Sequence, residues 1–156
     1  MLDIKLMRQT TSYCGPFCLK MVFDYYGYVI DLENIAKIAK TTIEHGTSPV
    51  NMVIAARHFG FDATYKENSN LKELCRLVVN ERIPVIIDWF DNNDGHYSIV
   101  VGLDNKNIYF VDSDGGHHKK MTLKTFMRVW FDFTGSYMKS AGNLRLRSII
   151  VIRDKK

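Results

Sequence analysis

Cysteine, proline and long apolar runs are all scarce in this sequence, and each scarcity removes a class of protein. Three cysteines in 156 residues, an odd number, do not make a disulfide framework. Cys14 and Cys18 stand four positions apart on one predicted helix, where a bridge between them would be strained. Reduced thiols are expected. No apolar stretch approaches the ~18 residues of a membrane helix, and no N-terminal basic-plus-apolar segment reads as a signal peptide. A cytoplasmic location without stable membrane insertion is therefore expected. Lys and Arg are scattered rather than gathered in runs, so the net charge of +4 implies no nucleic-acid partner. Internal repeats, low-complexity segments and linker-like composition shifts are missing too. With 46% hydrophobic residues, enough for one contiguous core, residues 1–156 are expected to form a single domain.

What the sequence does contain is concentrated in Tyr13-Cys14-Gly15-Pro16-Phe17-Cys18. Pro16 suits a first helical turn and holds the preceding Gly15 extended, which predicts that Cys14 stands just outside the helix. Cys14, Phe17, Cys18, Met21, Val22 and Tyr25 then form one apolar face of that helix, with Lys20 and Asp24 pointing away. A thiol at a helix N-terminus meets unpaired N–H groups and the positive end of the helix dipole, both of which stabilise a thiolate nucleophile. The alternative for Cys14 is a small packing residue.

Farther along, Asp31 caps a helix running to about Lys40, and Thr47-Ser48-Pro49 opens another that carries His58 late and stops at Gly60. His58 there has a structural role. Phe61 to Tyr65 is a strand, and Leu71 to Val79 a helix with Cys75 in its core face. Three antiparallel strands are predicted at Pro84–Phe90, His96–Leu103 and Ile108–Asp112. Thr122 caps a last helix through Trp130, a mobile Gly- and Ser-containing stretch follows, and Leu146–Ile152 closes as a strand. Helices first and sheet second define an α+β fold.

A cysteine nucleophile needs a histidine, and the histidine needs an acceptor to orient it. His45, His117 and His118 fall in loop-like segments and His58 on a helix. Only His96 begins a central strand, directly after a flexible loop. His96 and Asp112 share a sheet face only if the numbers of paired residues add to an even total, which calls for an odd-length loop or a bulge. Asp88 is the rival orienter. The segment Asp112 to His118 is rich in ligand types but lacks calcium-loop or His-x3-His spacing, so it reads as a solvated turn. No metal and no cofactor are expected.

Gln9, Tyr13-Cys14-Gly15-Pro16, His45-Gly46-Thr47-Ser48, Gly60, Gly95-His96-Tyr97-Ser98 and Tyr109-Phe110-Val111-Asp112 together resemble the bacteriocin-processing, double-glycine-leader cysteine peptidases. The resemblance spans about Met7 to Asp114. It implies a papain-like fold with N-terminal helices packed on a C-terminal antiparallel sheet, and cleavage of a peptide or protein substrate, with a Gly-Gly-type leader as the site that the resemblance suggests. Carried over, it implies Cys14 as nucleophile, His96 as general base and acid, Asp112 as the residue orienting His96, and Gln9 as an oxyanion-hole donor. Gln9 stands one residue closer to the cysteine than is usual in that family, and Tyr13 replaces an acidic or amide residue. The transporter domains that often accompany such a peptidase are not in these residues. Two other readings remain open, an inactive relative that binds peptides and a Cys-dependent acyltransferase, and the sequence points to no oligomeric state.

Overall fold

The computed structural model describes residues 1–9, 12–92 and 94–156. Helix α1 spans Cys14–Tyr25, and it is buried on almost every side rather than along one stripe. Leu19 and Phe23, both off the predicted apolar face, are fully buried. Its polar edge is the Lys20–Asp24 ion pair at 2.6 Å. Cys14 is the first residue of the helix, not a residue outside it, and Gly15 is helical despite preceding Pro16. The missing side chain explains this. Much of the clash that keeps a residue before proline extended involves its Cβ. A Cβ on Gly15 would also lie 2.9 Å from Met52 Sδ and 3.1 Å from Thr47 Cβ.

Helix α2, Leu32–Ile38, starts where Asp31 accepts from the Asn34 N–H. Helix α3, Pro49–His58, starts where Ser48 accepts from the Asn51 N–H. Both caps satisfy first-turn donors that the helix itself leaves unpaired. Strand β1 covers Asp62–Lys66, and helix α4, Leu71–Cys75, continues as a π-helical turn over Arg76–Asn80. Cys75 is half-buried, not a core residue.

The main sheet is antiparallel, in the order β1-β8-β2-β3-β4-β5. Its remaining strands are β2 (Val85–Asp91), β3 (Asp94–Leu103), β4 (Asn107–Asp112), β5 (His117–Thr122) and β8 (Ile149–Arg153). Helix α5, Leu123–Val129, lies between β5 and a hairpin of β6 (Phe131–Phe133) with β7 (Leu144–Leu146). Two sequence expectations are corrected here. His117 and His118 belong to an edge strand and not to a loop, and the segment after α5 holds a strand pair. β5 reads His-His-Lys-Lys-Met-Thr and has no apolar alternation, while β6 and β7, Phe-Asp-Phe and Leu-Arg-Leu, alternate but are too short at three residues each to stand out. The core between the helices and the sheet is filled by Phe23, Phe61, Phe110, Phe126 and Trp130, all fully buried.

Candidate active site

Of the residues singled out by sequence, Gln9, Cys14, His96 and Asp88 line one cleft of about 980 Å³, while Asp112 is fully buried. One wall is on the helical side: the start of α1, the turns from Lys40 to Ser48 and the first turn of α3 at Asn51. The other is the end of the sheet, with Asp88, Gly95, His96, Tyr97 and Asp114. The walls are joined directly. The Tyr97 hydroxyl donates to the Thr47 carbonyl at 2.9 Å, and Thr47 Oγ1 lies 2.7 Å from Thr41 Oγ1. Gly15 lets α1 approach this same Thr47, so the cysteine is held against the loop that the sheet grips.

Cys14 is half-buried at the first position of α1. Tyr13 at the N-cap makes no side-chain capping bond, so the N–H groups of Cys14 and Gly15 remain available, while Pro16 has none to offer. Cys18, one turn on, is fully buried, and burial pushes its thiol well above the usual cysteine range.

The sheet supplies the imidazole. Ile99 pairs with Val111 and Val100 with Phe110, but Gly102 pairs with Tyr109, so Val101 is an extra residue and β3 carries a bulge there. Near the β3–β4 turn the paired numbers add to an odd total. Past the bulge the total is even, and His96 and Asp112 come to lie on one face. His96 Nε2 is 2.6 Å from Asp112 Oδ1. That leaves the other ring nitrogen free of Asp112, and Cys14, which lines the same cleft, acts on the imidazole as a neighbour that raises its pKa. Trp89 lies beside the ring, edge-on at 6.2 Å, and is itself fixed by its N–H donating to Ser98 Oγ at 3.0 Å.

Asp112 is fully buried but well supplied with partners. Oδ1 also accepts from the Asp114 N–H at 2.9 Å, and Oδ2 forms an ion pair with Lys119 Nζ at 2.8 Å. Burial acts to raise its pKa, but the hydrogen bond and charge of His96, followed by Lys119 and the Asp114 N–H, outweigh burial and hold it down to about 2. His96 shows the mirror effect. Burial acts to lower its pKa, yet the hydrogen bonds to Asp112 and Cys14, with the charges of both, push it up to about 10. Imidazolium beside carboxylate is the resting arrangement of this pair at neutral pH.

Asp88 lines the cleft without facing the imidazole. It pairs with Tyr97 in the β2–β3 ladder while His96 pairs with Trp89, which puts Asp88 on the opposite face from the imidazole. Its neighbours are Asp132 and Arg145. Arg145 Nη2 is 2.6 Å from Asp132 Oδ2 and 3.6 Å from Asp88 Oδ2. The Asp132 carboxylate is packed so tightly on β3 that a Cβ on Gly95 would overlap it. Gln9 lines the cleft as well, and its Oε1 accepts from the Ser113 hydroxyl at 2.8 Å. His45 and His58 are exposed, with His58 in the last turn of α3. Among the described residues no group of three His, Cys, Asp or Glu is arranged to hold a metal ion. No helix among them is long and apolar enough to cross a membrane.

Lys119 and Ser113 were not found from the sequence. Ser113 directly follows Asp112 and carried no signal of its own. Lys119 pairs with Phe110 and so shares the face of Asp112, a relation visible only once β5 is recognised as a strand.

Comparison with known proteins gives a consistent picture. The sequence matches the description "Peptidase C39 family" over residues 3–139. The transport/processing ATP-binding protein ComA of Streptococcus pneumoniae is 31% identical over 124 residues, which make up 78% of this chain and 17% of ComA. The chain thus corresponds to a small part of that relative's length. Among solved structures, the peptidase domain of Streptococcus ComA, a bi-functional ABC transporter involved in a quorum-sensing pathway, superposes with a TM-score of 0.72 at 22% identity, covering 96% of this chain and 98% of that one. A double-glycine-motif protease from an AMS/PCAT transporter, solved with its leader peptide, gives 0.68 at 21% identity, covering 97% and 91%. These likenesses establish an α+β, papain-like fold.

Proposed function

The chain belongs to the peptidase C39 family, and on that premise we propose that it is an active cysteine peptidase that cuts a peptide amide bond by means of Cys14, His96, Asp112 and Gln9. The observation that carries this reading is the position of His96, bonded to Asp112 through Nε2 and sharing one cleft with Cys14, which also acts on its titration. That is the geometry a nucleophile, its base and the orienter of the base require.

In the acylation step the Cys14 thiolate attacks the carbonyl carbon. The oxygen that gains charge is held by the Cys14 N–H and the Gln9 side-chain amide, a type of contact worth about 3 kcal/mol per donor. His96 then gives its proton to the leaving nitrogen as the C–N bond breaks, leaving a thioester on Cys14. A water molecule loses a proton to His96 and adds to the thioester. The C–S bond breaks, and thiolate and imidazolium are restored. Asp112 keeps the ring in one orientation throughout and balances its charge. The substrate we propose is a leader-bearing peptide cut after a Gly-Gly-type pair, since a relative of the same fold is a double-glycine-motif protease solved with a leader peptide.

The test is incubation with a synthetic leader peptide carrying Gly-Gly, read by mass spectrometry, together with brief iodoacetamide labelling. One cut after Gly-Gly is expected, lost in Cys14→Ala and in His96→Ala. Cys14 should label ahead of half-buried Cys75, with buried Cys18 last, and His96→Ala should slow Cys14 near neutral pH. Peptide binding that survives Cys14→Ala, with no cleavage by the wild type, would instead mark a binding module. Product formed only with an added amine or thiol acceptor would mark an acyltransferase.

A further inference from the structure

Ser113 has no access to solvent, and its hydroxyl has a specific use. It donates to Gln9 Oε1 at 2.8 Å, while the Ser113 carbonyl accepts from the Gln9 backbone N–H at 2.9 Å. Gln9 is therefore clamped at both its backbone and its side chain to the residue that follows Asp112. The Ser113 carbonyl also accepts from the Gly116 N–H at 3.2 Å, which closes the turn, and the Asp114 N–H of that same turn holds Asp112 Oδ1. One turn thus fixes both Gln9, which lines the cleft, and Asp112, which holds His96 there.

A primary amide has an acceptor end and a donor end. With the carbonyl end pinned by a buried O–H, the NH2 end is turned away from Ser113. Gln9 lines the same cleft as Cys14 and His96. We propose that Ser113 is a positioning residue for the reaction: its hydroxyl holds the Gln9 side chain so that the NH2 group faces the oxygen that becomes charged in the transition state. The inference deepens the peptidase reading above and rests on it.

The physical reason is preorganisation. A donor in an oxyanion hole contributes because it is already in place when charge develops. A glutamine side chain released from its tether samples several rotamers and offers its N–H groups to the oxyanion only part of the time. Substrate binding in the ground state makes little use of this donor, so the loss should fall on kcat rather than on KM.

The experiment measures steady-state cleavage of the Gly-Gly peptide by wild type, Ser113→Ala, Gln9→Ala and the double variant, alongside the rate at which iodoacetamide alkylates Cys14. Alkylation displaces iodide at a saturated carbon and forms no oxyanion, so it reports on Cys14 and His96 alone. Ser113→Ala should lower kcat roughly tenfold with KM within about twofold, leave alkylation within about twofold, and add nothing in the Gln9→Ala background. Wild-type kcat in Ser113→Ala overturns the inference, as does an equal further loss in the Gln9→Ala background. A fall in alkylation matching the fall in kcat overturns it as well, because the whole site would then have been disturbed. Should Ser113→Ala not fold, Ser113→Cys has similar volume and only a weak donor, and its kinetics must show the same dependence on Gln9. If the wild type cleaves no peptide, the peptidase reading falls and the inference falls with it; cleavage that is indifferent to Ser113 sinks the inference alone.

Discussion

Asp112 on β4 and Asp88 on β2 flank the strand that carries His96, both are buried, and yet their carboxyls are driven in opposite directions. Asp112 is held down to about 2. Asp88 is pushed well above the ordinary carboxylate range, first by burial and then by the charge of Asp132, against the pull of Arg145. Depth does not separate them, since Asp112 is 0% and Asp88 4% exposed. Partners do. Asp112 has an imidazolium, an ammonium and a backbone N–H within 3 Å. Asp88 shares one guanidinium with a second carboxylate, and that guanidinium sits closer to the other acid. A buried acid remains an anion where cations and donors converge on it, and it binds a proton where two acids compete for one cation.

The largest expected effect of breaking this contrast is on turnover. Asp112→Asn keeps the shape but removes the charge facing the imidazolium, and kcat should fall by about 10²-fold or more. Asp88→Asn should stay within about threefold of wild type, because Asp88 faces away from the imidazole. Peptide-cleavage kinetics of the two variants decide between the acids. The reverse ranking would show that Asp88 is the orienter.

The next effect is on the titration of His96, followed by NMR of its ring protons. Its pKa is raised from 6.5 to about 10, so the ring should remain imidazolium across neutral pH. The stabilisation linked to this shift is fully present below 6.5 and is lost as pH rises through about 10. The Asp112 contribution has the opposite sense, present above 3.8 and lost as pH falls through about 2. Between these limits the pair holds the sheet wall in one state. Asp112→Asn or Cys14→Ala should each bring the His96 titration back toward neutrality. A wild-type ring titrating near 6.5 would contradict the close pairing.

The two walls of the cleft were legible to different degrees, for a physical reason. The helical wall is written in local chemistry: Pro16 near the start of α1, Asp31 and Ser48 as caps, and Pro49 at the opening of α3 all act within four residues of where they stand. What local chemistry hid was the close packing at Gly15, where a side chain would collide with Thr47 and Met52 far along the chain. The sheet wall depends on register. Strand parity identified the condition under which His96 and Asp112 meet, but no single residue announces the bulge at Val101 that meets it. Edge strand β5, with its polar face to solvent, left no apolar alternation to read, and Lys119 was hidden with it. Ser113 was adjacent to a predicted site residue, but its use depends on a Gln9 more than a hundred positions away.

The smallest predicted effect is on stability, and it sharpens the contrast from the side of Asp88. A carboxyl whose pKa is higher folded than unfolded contributes stability that is fully present below the unfolded value, here 3.8, and lost as pH rises through the folded value. Asp88→Asn replaces the protonated carboxyl with a neutral group of nearly the same shape. At about pH 4 the variant should therefore lie within about 1 kcal/mol of wild type. As pH rises the wild type must either ionise a second acid beside Asp132 or keep a proton that solvent increasingly withdraws, whereas the amide is indifferent. The difference in Tm between variant and wild type should consequently shift in favour of the variant between about pH 4 and pH 8. Thermal unfolding at several pH values reads this directly. A variant less stable than wild type by the same amount at every pH would mean that Asp88 keeps an ordinary pKa. A deficit that grows as pH rises would mean that Asp88 is an anion serving Arg145. In either case the two aspartates would not differ in the way their partners imply.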